Sequence, residues 1–139
     1  MNDRCTTATA RRLKELGFEQ PEPAPGQVWY DTEGGDCFVF GVNGSYVMLF
    51  YLQDDFQTAA IPIHFLLSHY AYAPTDPDIL RELGSGFALT IHPEAIGGNC
   101  FCMQFMTAAI TTVRVHAEWQ HENPAEACAE AWEAKQKQG

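Results

Sequence analysis

Asn43-Gly44 stands between two apolar runs, Cys37 to Val42 and Ser45 to Gln53, and this dipeptide is the strongest hairpin signal in the chain. Both central positions of a type I′ turn need φ > 0, which Asn and Gly tolerate and most residues do not. The turn implies a register. If Val42 faces Ser45, then Phe40 faces Val47 and Phe38 faces Leu49 on one side, while Val39 faces Met48 and Cys37 faces Phe50 on the other. Both faces are apolar, whereas a half-exposed hairpin alternates apolar with polar residues. Such a ribbon is either held between two layers or lends one face to an interface or a ligand.

The segments around the hairpin read as short elements with recognisable ends. Thr6 or Thr7 can cap a helix from Ala8 to Leu16, which Gly17 stops. Gln20-Pro21-Glu22-Pro23-Ala24-Pro25-Gly26 follows as an extended connector, because alternate prolines forbid helix and ladder alike. Gln27 to Asp31 is a strand, Thr58 to Ile63 an edge strand interrupted by Pro62, and His64 to His69 one or two helical turns. After the linker Ala73-Pro74-Thr75, Asp76 can cap a helix that has Pro77 at its first position and Gly84 at its end.

Three strands then follow in meander order. Phe87, Leu89 and Ile91, then Phe101, Met103 and Phe105, then Val113, Val115, Ala117 and Trp119 recur with period two and define one apolar face. Asn123-Pro124-Ala125-Glu126 is an Asn variant of the capping box that opens a last helix running to about Gln138. The pattern predicts an α+β protein, with antiparallel sheets, helices packed on one face and a C-terminal α-β-β-β-α unit. We expect one domain over residues 1–139 with halves 1–73 and 74–139, since a chain of this size buries about two thirds of its surface on folding. No run approaches the ~18 apolar residues of a membrane span, and no apolar signal core follows Met1, so a cytosolic protein is expected.

Charge narrows the functions. The net charge is −10, and from Glu15 to Leu80 there is no Lys or Arg while ten acids occur, among them Asp54 and Asp55. Nucleic-acid binding is driven by Lys and Arg displacing counterions, so this stretch excludes a phosphate-tracking groove. Most of the aromatic residues fall in the same stretch. Trp29, Tyr30, Tyr46, Tyr51, Tyr70 and Tyr72 pair an apolar body with a polar tip, and beside Asp54 and Asp55 they are the candidate binding residues for a cationic partner.

The chemistry of catalysis and metal binding is thinly represented. Five cysteines, an odd number without a CxxC pair, read as free thiols in a reducing compartment. With tight meander turns His92 would lie opposite Cys100, and Cys102 near Thr90 and His116, all on the less apolar face. Two thiolates and two imidazoles suit zinc, but Cys-x-Cys on one strand is not the usual chelating spacing, and a thinly covered sheet face is the preferred reading. Cys37, Cys102 and Cys128 have no local nucleophile signature linking them to His64, His69, His116 or His121. Gly84-Ser85-Gly86 follows a helix and precedes a strand, the wrong context for phosphate. No catalytic residue, metal or cofactor is assigned, and the expectation is a protein that is not an enzyme.

Tyr72 to Gly84 and Glu122 to Trp132, with Ala10 to Phe18, Pro21-Glu22-Pro23 and Gly26 to Tyr30, resemble segments of small uncharacterised proteins carried by bacteriophages and prophages. The resembling motifs are caps, a Pro-rich connector and helix stripes. The resemblance implies a phage or mobile-element origin and brings no catalytic residue with it. The order α-β-β-β-α is also that of the double-stranded-RNA-binding domain, but that domain needs Lys where this chain has Asn123-Pro124-Ala125-Glu126. The leading expectation is a phage-borne accessory protein that binds a host protein through its acidic, aromatic middle, with no nucleic-acid or membrane partner. The alternative is a small-molecule-binding or sequestering protein with an aromatic pocket, as a homo-oligomer whose interface covers the spare hairpin face.

Overall fold

The computed structural model describes residues 4–52, 57–91, 100–109 and 112–138, and the chain is α+β with antiparallel sheets. It divides into two compact units, Ala10–Ala73 and a second made of Pro74–Gly139 with Met1–Thr9. No helix among the described residues is long and apolar enough to cross a membrane.

The Ala10–Ala73 unit holds most of α1 (Thr7–Glu15), then β1 (Val28–Tyr30), β2 (Asp36–Asn43), β3 (Tyr46–Tyr51), β4 (Gln57–Pro62), α2 (Ile63–His69) and β5 (Ala71–Tyr72). Its sheet is antiparallel throughout, in the order β4-β3-β2-β1-β5. β5 is a strand that periodicity could not announce, because two residues are too few to show a period.

The Pro-rich segment is held as an extended connector by two glutamines. Gln27 accepts from the Trp29 indole at 2.9 Å and from the Ala24 N–H at 3.1 Å, and donates to the Glu22 carbonyl at 2.9 Å. Gln20 accepts from the Tyr72 N–H at 2.9 Å. Prolines cannot donate to a ladder, so side-chain amides take over the fixing.

The hairpin forms, but its register differs from the expected one. Asn43 pairs with Tyr46, so Gly44 and Ser45 are the central pair, and Gly44 has the φ of +62° that primed turns need at their first central position. The ladder then shifts between Val39 and Gly41, leaving Phe40 as an extra residue. Beyond the bulge Val39 pairs with Leu49, Phe38 with Phe50 and Cys37 with Tyr51. The aliphatic residues Val39, Val47 and Leu49 share one fully buried face, with Trp29, Leu66 and Tyr70 completing the core. Phe38 and Phe40, expected opposite Leu49 and Val47, lie instead on the other face with Phe50. Near β1 that other face is covered: Val28 and Tyr30 pack with Ala10, Ala71 and Ala73.

In the other unit α3 (Asp76–Leu83) precedes β6 (Phe87–Ile91), β7 (Cys100–Ala109), β8 (Thr112–His121) and α4 (Pro124–Gln138). The α-β-β-β-α order is as expected, and the three strands form a separate antiparallel sheet in the order β6-β7-β8. Thr75, not Asp76, caps α3: its hydroxyl accepts from the Asp78 N–H at 3.4 Å while Asp78 accepts from the Thr75 N–H at 3.0 Å, a reciprocal capping box. Asn123 caps α4 through the Ala125 N–H at 2.9 Å, but the expected box does not close, because Glu126 accepts from the Thr9 hydroxyl at 2.7 Å.

The larger correction concerns β7. Cys100 and Cys102 are buried, while Phe101 and Met103 are only half-buried on the opposite face. Cys102 pairs with Leu89 and Trp119. Nearer the far end, a shift between Gln104 and Phe105 breaks the alternation, and Val113 and Val115 are exposed instead of sharing an apolar face with Trp119. α4 is buried nearly all round at Ala125, Ala127, Cys128, Ala129, Ala131 and Trp132, because it lies between α3 and the meander. Such a close approach has no room for longer side chains. Ala127→Leu is therefore expected to destabilise the fold by about 1–3 kcal/mol in a urea titration, where a typical exposed alanine changed the same way costs almost nothing.

Candidate functional site

Most of the nominated aromatic residues are brought together, but as a core. Trp29 is fully buried against Tyr72, with ring centroids 5.5 Å apart in an edge-on arrangement, and Tyr51 and Tyr70 pack into the same cluster. Tyr30 is buried in the neighbouring cluster under α1. Tyr46 alone of the six is exposed, at 49%. Asp54 and Asp55 lie outside the described residues.

Tyr51 and Tyr70 share a hydroxyl–hydroxyl hydrogen bond of 2.9 Å at the margin of this core. Burial pushes both phenols above their ordinary value, and the shared bond raises Tyr70 further. A group whose pKa is raised on folding holds its proton more tightly in the native state. Its contribution is complete below the unfolded value of about 10 and is lost as the pH climbs past it. The tyrosinate absorbance of the native chain should accordingly contain a late-titrating component contributed by Tyr51 and Tyr70. Stability should fall above pH ~10, and less so in Tyr70→Phe. A single transition at the ordinary value would contradict this.

The open surface is on the reverse of the hairpin. Phe38 and Phe40 are 38% and 44% exposed, and Tyr46, Met48 and Phe50 lie on the same face. Phe40 and Phe50 meet edge to face at 6.2 Å. The alternation that buries Val47 and Leu49 necessarily turns Tyr46, Met48 and Phe50 outward. Asp36, exposed and two residues before Phe38, stands at one end of this surface. The apolar character of Phe38, Phe40 and Phe50 is legible in the hairpin sequence, but the polar tips of Trp29 and the five tyrosines point the expectation elsewhere.

The bases of this unit are all on α1: Arg11, Arg12 and Lys14. Arg11 donates to the Asp31 carbonyl at 2.7 Å. Lys14 donates to the carbonyls of Leu67 and Tyr70 at 2.7 and 2.6 Å, closing the C-terminal end of α2, and burial lowers its pKa. With Glu15, Ser68 and His69 they line a cavity of about 360 Å³. A second cavity, of about 400 Å³, is walled by Pro21, Pro23, Val42, Ile63 and Leu67 with Gln20 and Glu22 at its margin. Neither contains the stack of aromatic rings expected of an aromatic pocket.

The described members of the metal grouping considered from the sequence, Cys100, Cys102 and His116, are not brought together. Cys100 and Cys102 are buried, His116 is exposed, and Cys102 pairs with Trp119 instead of approaching His116. His92 lies outside the described residues. Among the described residues no group of three or more His, Cys, Asp or Glu is placed to hold a metal ion. As for a nucleophile and base, Cys37, Cys102 and Cys128 are fully buried whereas His64, His69 and His116 are exposed; the His121 ring accepts from the Asn123 N–H.

No protein-family model, curated protein or solved structure matches the chain.

Proposed function

We propose that the chain is a non-enzymatic binding protein that receives a basic surface of a partner protein on the open face of β2 and β3. One observation carries this reading: Phe38, Phe40 and Tyr46 are exposed on one face of the β2–β3 hairpin, within a stretch that has no Lys or Arg from Glu15 to Leu80. Contiguous exposed aromatic surface is uncommon on a chain that acts alone. Arg and Lys suit it, because their stems cover apolar area while their heads sit over ring faces and near carboxylates. On the expectation of a phage or mobile-element origin, the partner is placed in the cytosol of a bacterial host. The test is capture from host lysate followed by binding of the purified partner at low and moderate salt. Binding should weaken as the ionic strength rises, since the Debye length shortens to about 10 Å at 0.1 M. A partner that binds equally at both, or none at either, counts against the proposal.

The second reading, sequestration of a small molecule, draws support from the apolar cavity between the Pro-rich connector and α2, whose volume falls within the range of ligand pockets. Native mass spectrometry of protein taken from host lysate separates the two. A retained mass of a few hundred daltons favours the small molecule, and a second polypeptide favours docking.

A further inference from the structure

Arg11 and Lys14 hold their charges without a counter-ion in a stretch that is otherwise acidic. Residues 10–73 contain eight Asp or Glu and three Lys or Arg. Yet the hydrogen bonds that fix these two side chains end on neutral carbonyls, that of Asp31 for Arg11 and those of Leu67 and Tyr70 for Lys14. The Asp31 carboxylate accepts instead from the Glu33 and Gly35 N–H groups, at 2.9 and 2.8 Å. An ammonium and a guanidinium carry more donors than these bonds use, so both cations keep N–H groups uncommitted among the described residues. Both line the cavity of about 360 Å³, together with residues at the C-terminal end of α2. There the Ser68 hydroxyl donates to the His64 carbonyl at 2.7 Å and His69 Nδ1 to that of Phe65 at 3.3 Å, which leaves the two cations as the donors for a ligand.

We propose that this cavity binds a small organic monocarboxylate, with the carboxylate held by Arg11 and Lys14 and the organic body against Tyr70 and Ala71. The lining selects a single negative charge. The two positive charges of Arg11 and Lys14 less the negative one of Glu15 leave a formal +1 there. A phosphate monoester carries about −1.5 to −2 at neutral pH and is repelled more strongly by the many acids of the chain. A planar carboxylate also matches the fork of a guanidinium. Tyr70 and Ala71 are buried whereas Arg11, Ser68 and His69 are exposed, so the inner wall is apolar and the mouth is polar. The volume suits a compact ligand, since it lies at the small end of the pocket range of about 300–1,000 Å³. Burial lowers the pKa of Lys14, and a bound carboxylate would offset that shift. The site is built on α1 and α2, and it does not depend on docking at the face of β2 and β3.

The experiment titrates the isotope-labelled full chain with sodium benzoate and follows the amide NMR signals, with benzamide and inorganic phosphate as comparison probes at constant ionic strength. Benzoate should give saturable shifts at Lys14, Glu15, Ser68, His69 and Ala71, with a Kd of about 1 mM or tighter. Benzamide has the same shape without the charge, and both it and phosphate should bind at least ~10-fold more weakly. Arg11→Gln should weaken benzoate binding ~10-fold or more, the size of a lost charge-assisted hydrogen bond, and Arg11→Lys should recover part of the loss. Lys14→Gln should weaken it likewise. Arg12→Gln removes the same charge from the same helix and should leave the affinity nearly unchanged. Amide signals that stay in place away from α1 verify that each variant folds. Shifts that never saturate, benzamide or phosphate binding as tightly as benzoate, or equal losses in Arg11→Gln and Arg12→Gln would overturn the assignment.

Discussion

Replacing Trp29 by alanine is expected to cost about 3–5 kcal/mol of stability, enough to unfold much of the Ala10–Ala73 unit at ordinary temperature. The size follows from position. Trp29 is fully buried at the centre of a cluster that contains Cys37, Val39, Val47, Leu49, Leu66 and Tyr70, and its ring meets Tyr72 edge-on. Truncation removes the ring and leaves a cavity that β1 cannot collapse to fill, because β1 is paired on both sides, to β2 and β5. It also deprives Gln27 of its indole donor, and Gln27 is what fixes Glu22 and Ala24 of the Pro-rich connector. Urea unfolding followed by far-ultraviolet circular dichroism measures the loss. Trp29→Phe, which refills much of the volume without the N–H, should lose much less, and a loss below ~1 kcal/mol for Trp29→Ala would contradict the placement of this ring.

The second large effect concerns binding. Phe38→Asp combined with Phe40→Asp should weaken association with a basic partner by at least ~30-fold, the equivalent of about 2 kcal/mol and the lower bound for a hot spot. The charge change on its own works in the opposite direction, since added carboxylates attract a basic partner over distance. A net loss would therefore identify the rings themselves as the anchor. The free chain should stay folded, losing about 1–3 kcal/mol, because both rings are only partly buried and Phe40 gives up its edge contact with Phe50. Val39→Asp, one residue between them but fully buried, should instead unfold the unit. Isothermal titration with the purified partner reads the first outcome and thermal melts read the other two. Equal affinity for the double variant and the unaltered chain would remove this face from the interaction.

How much of this was legible in the sequence depends on the length scale of the signal. Helix ends were readable because single residues determine them: Gly84 ends α3 and Asn123 caps α4 as expected. The correction from Asp76 to Thr75 is a choice between adjacent cap formers, decided by where Asp78 can reach back. Facing within strands was less readable, since one extra residue inverts everything beyond it. Phe40 on β2 is such an insertion, and so is His116 on β8, skipped between Ala117 opposite Gln104 and Val115 opposite Phe105; no local composition marks either.

The facing of β7 departs from its hydrophobic pattern for another reason. Hydrophobicity favours Phe101 and Met103 for the covered side, but α4 presents Ala125, Cys128 and Ala129 and admits only small partners. Cys100 and Cys102 fit where Phe does not, so packing distance outweighs transfer free energy. In the candidate site the opposite bias operated. A polar tip drew the expectation to Tyr51 and Tyr70, whose hydroxyls satisfy each other, and away from the plain Phe side chains that are exposed.

The ends of the five-stranded sheet have a consequence for crowded solutions. One border, β5, offers two residues, and the other, β4, finishes at Pro62, where the chain has no amide hydrogen to offer and turns at once into α2. Lateral growth into a fibril needs a long, regular margin of unpaired amides, and neither border supplies one. This sheet can thus carry exposed aromatic rings with little margin for edge-to-edge growth, and whatever approaches them must come broadside, whereas the ten-residue β8 is the long border of the other sheet.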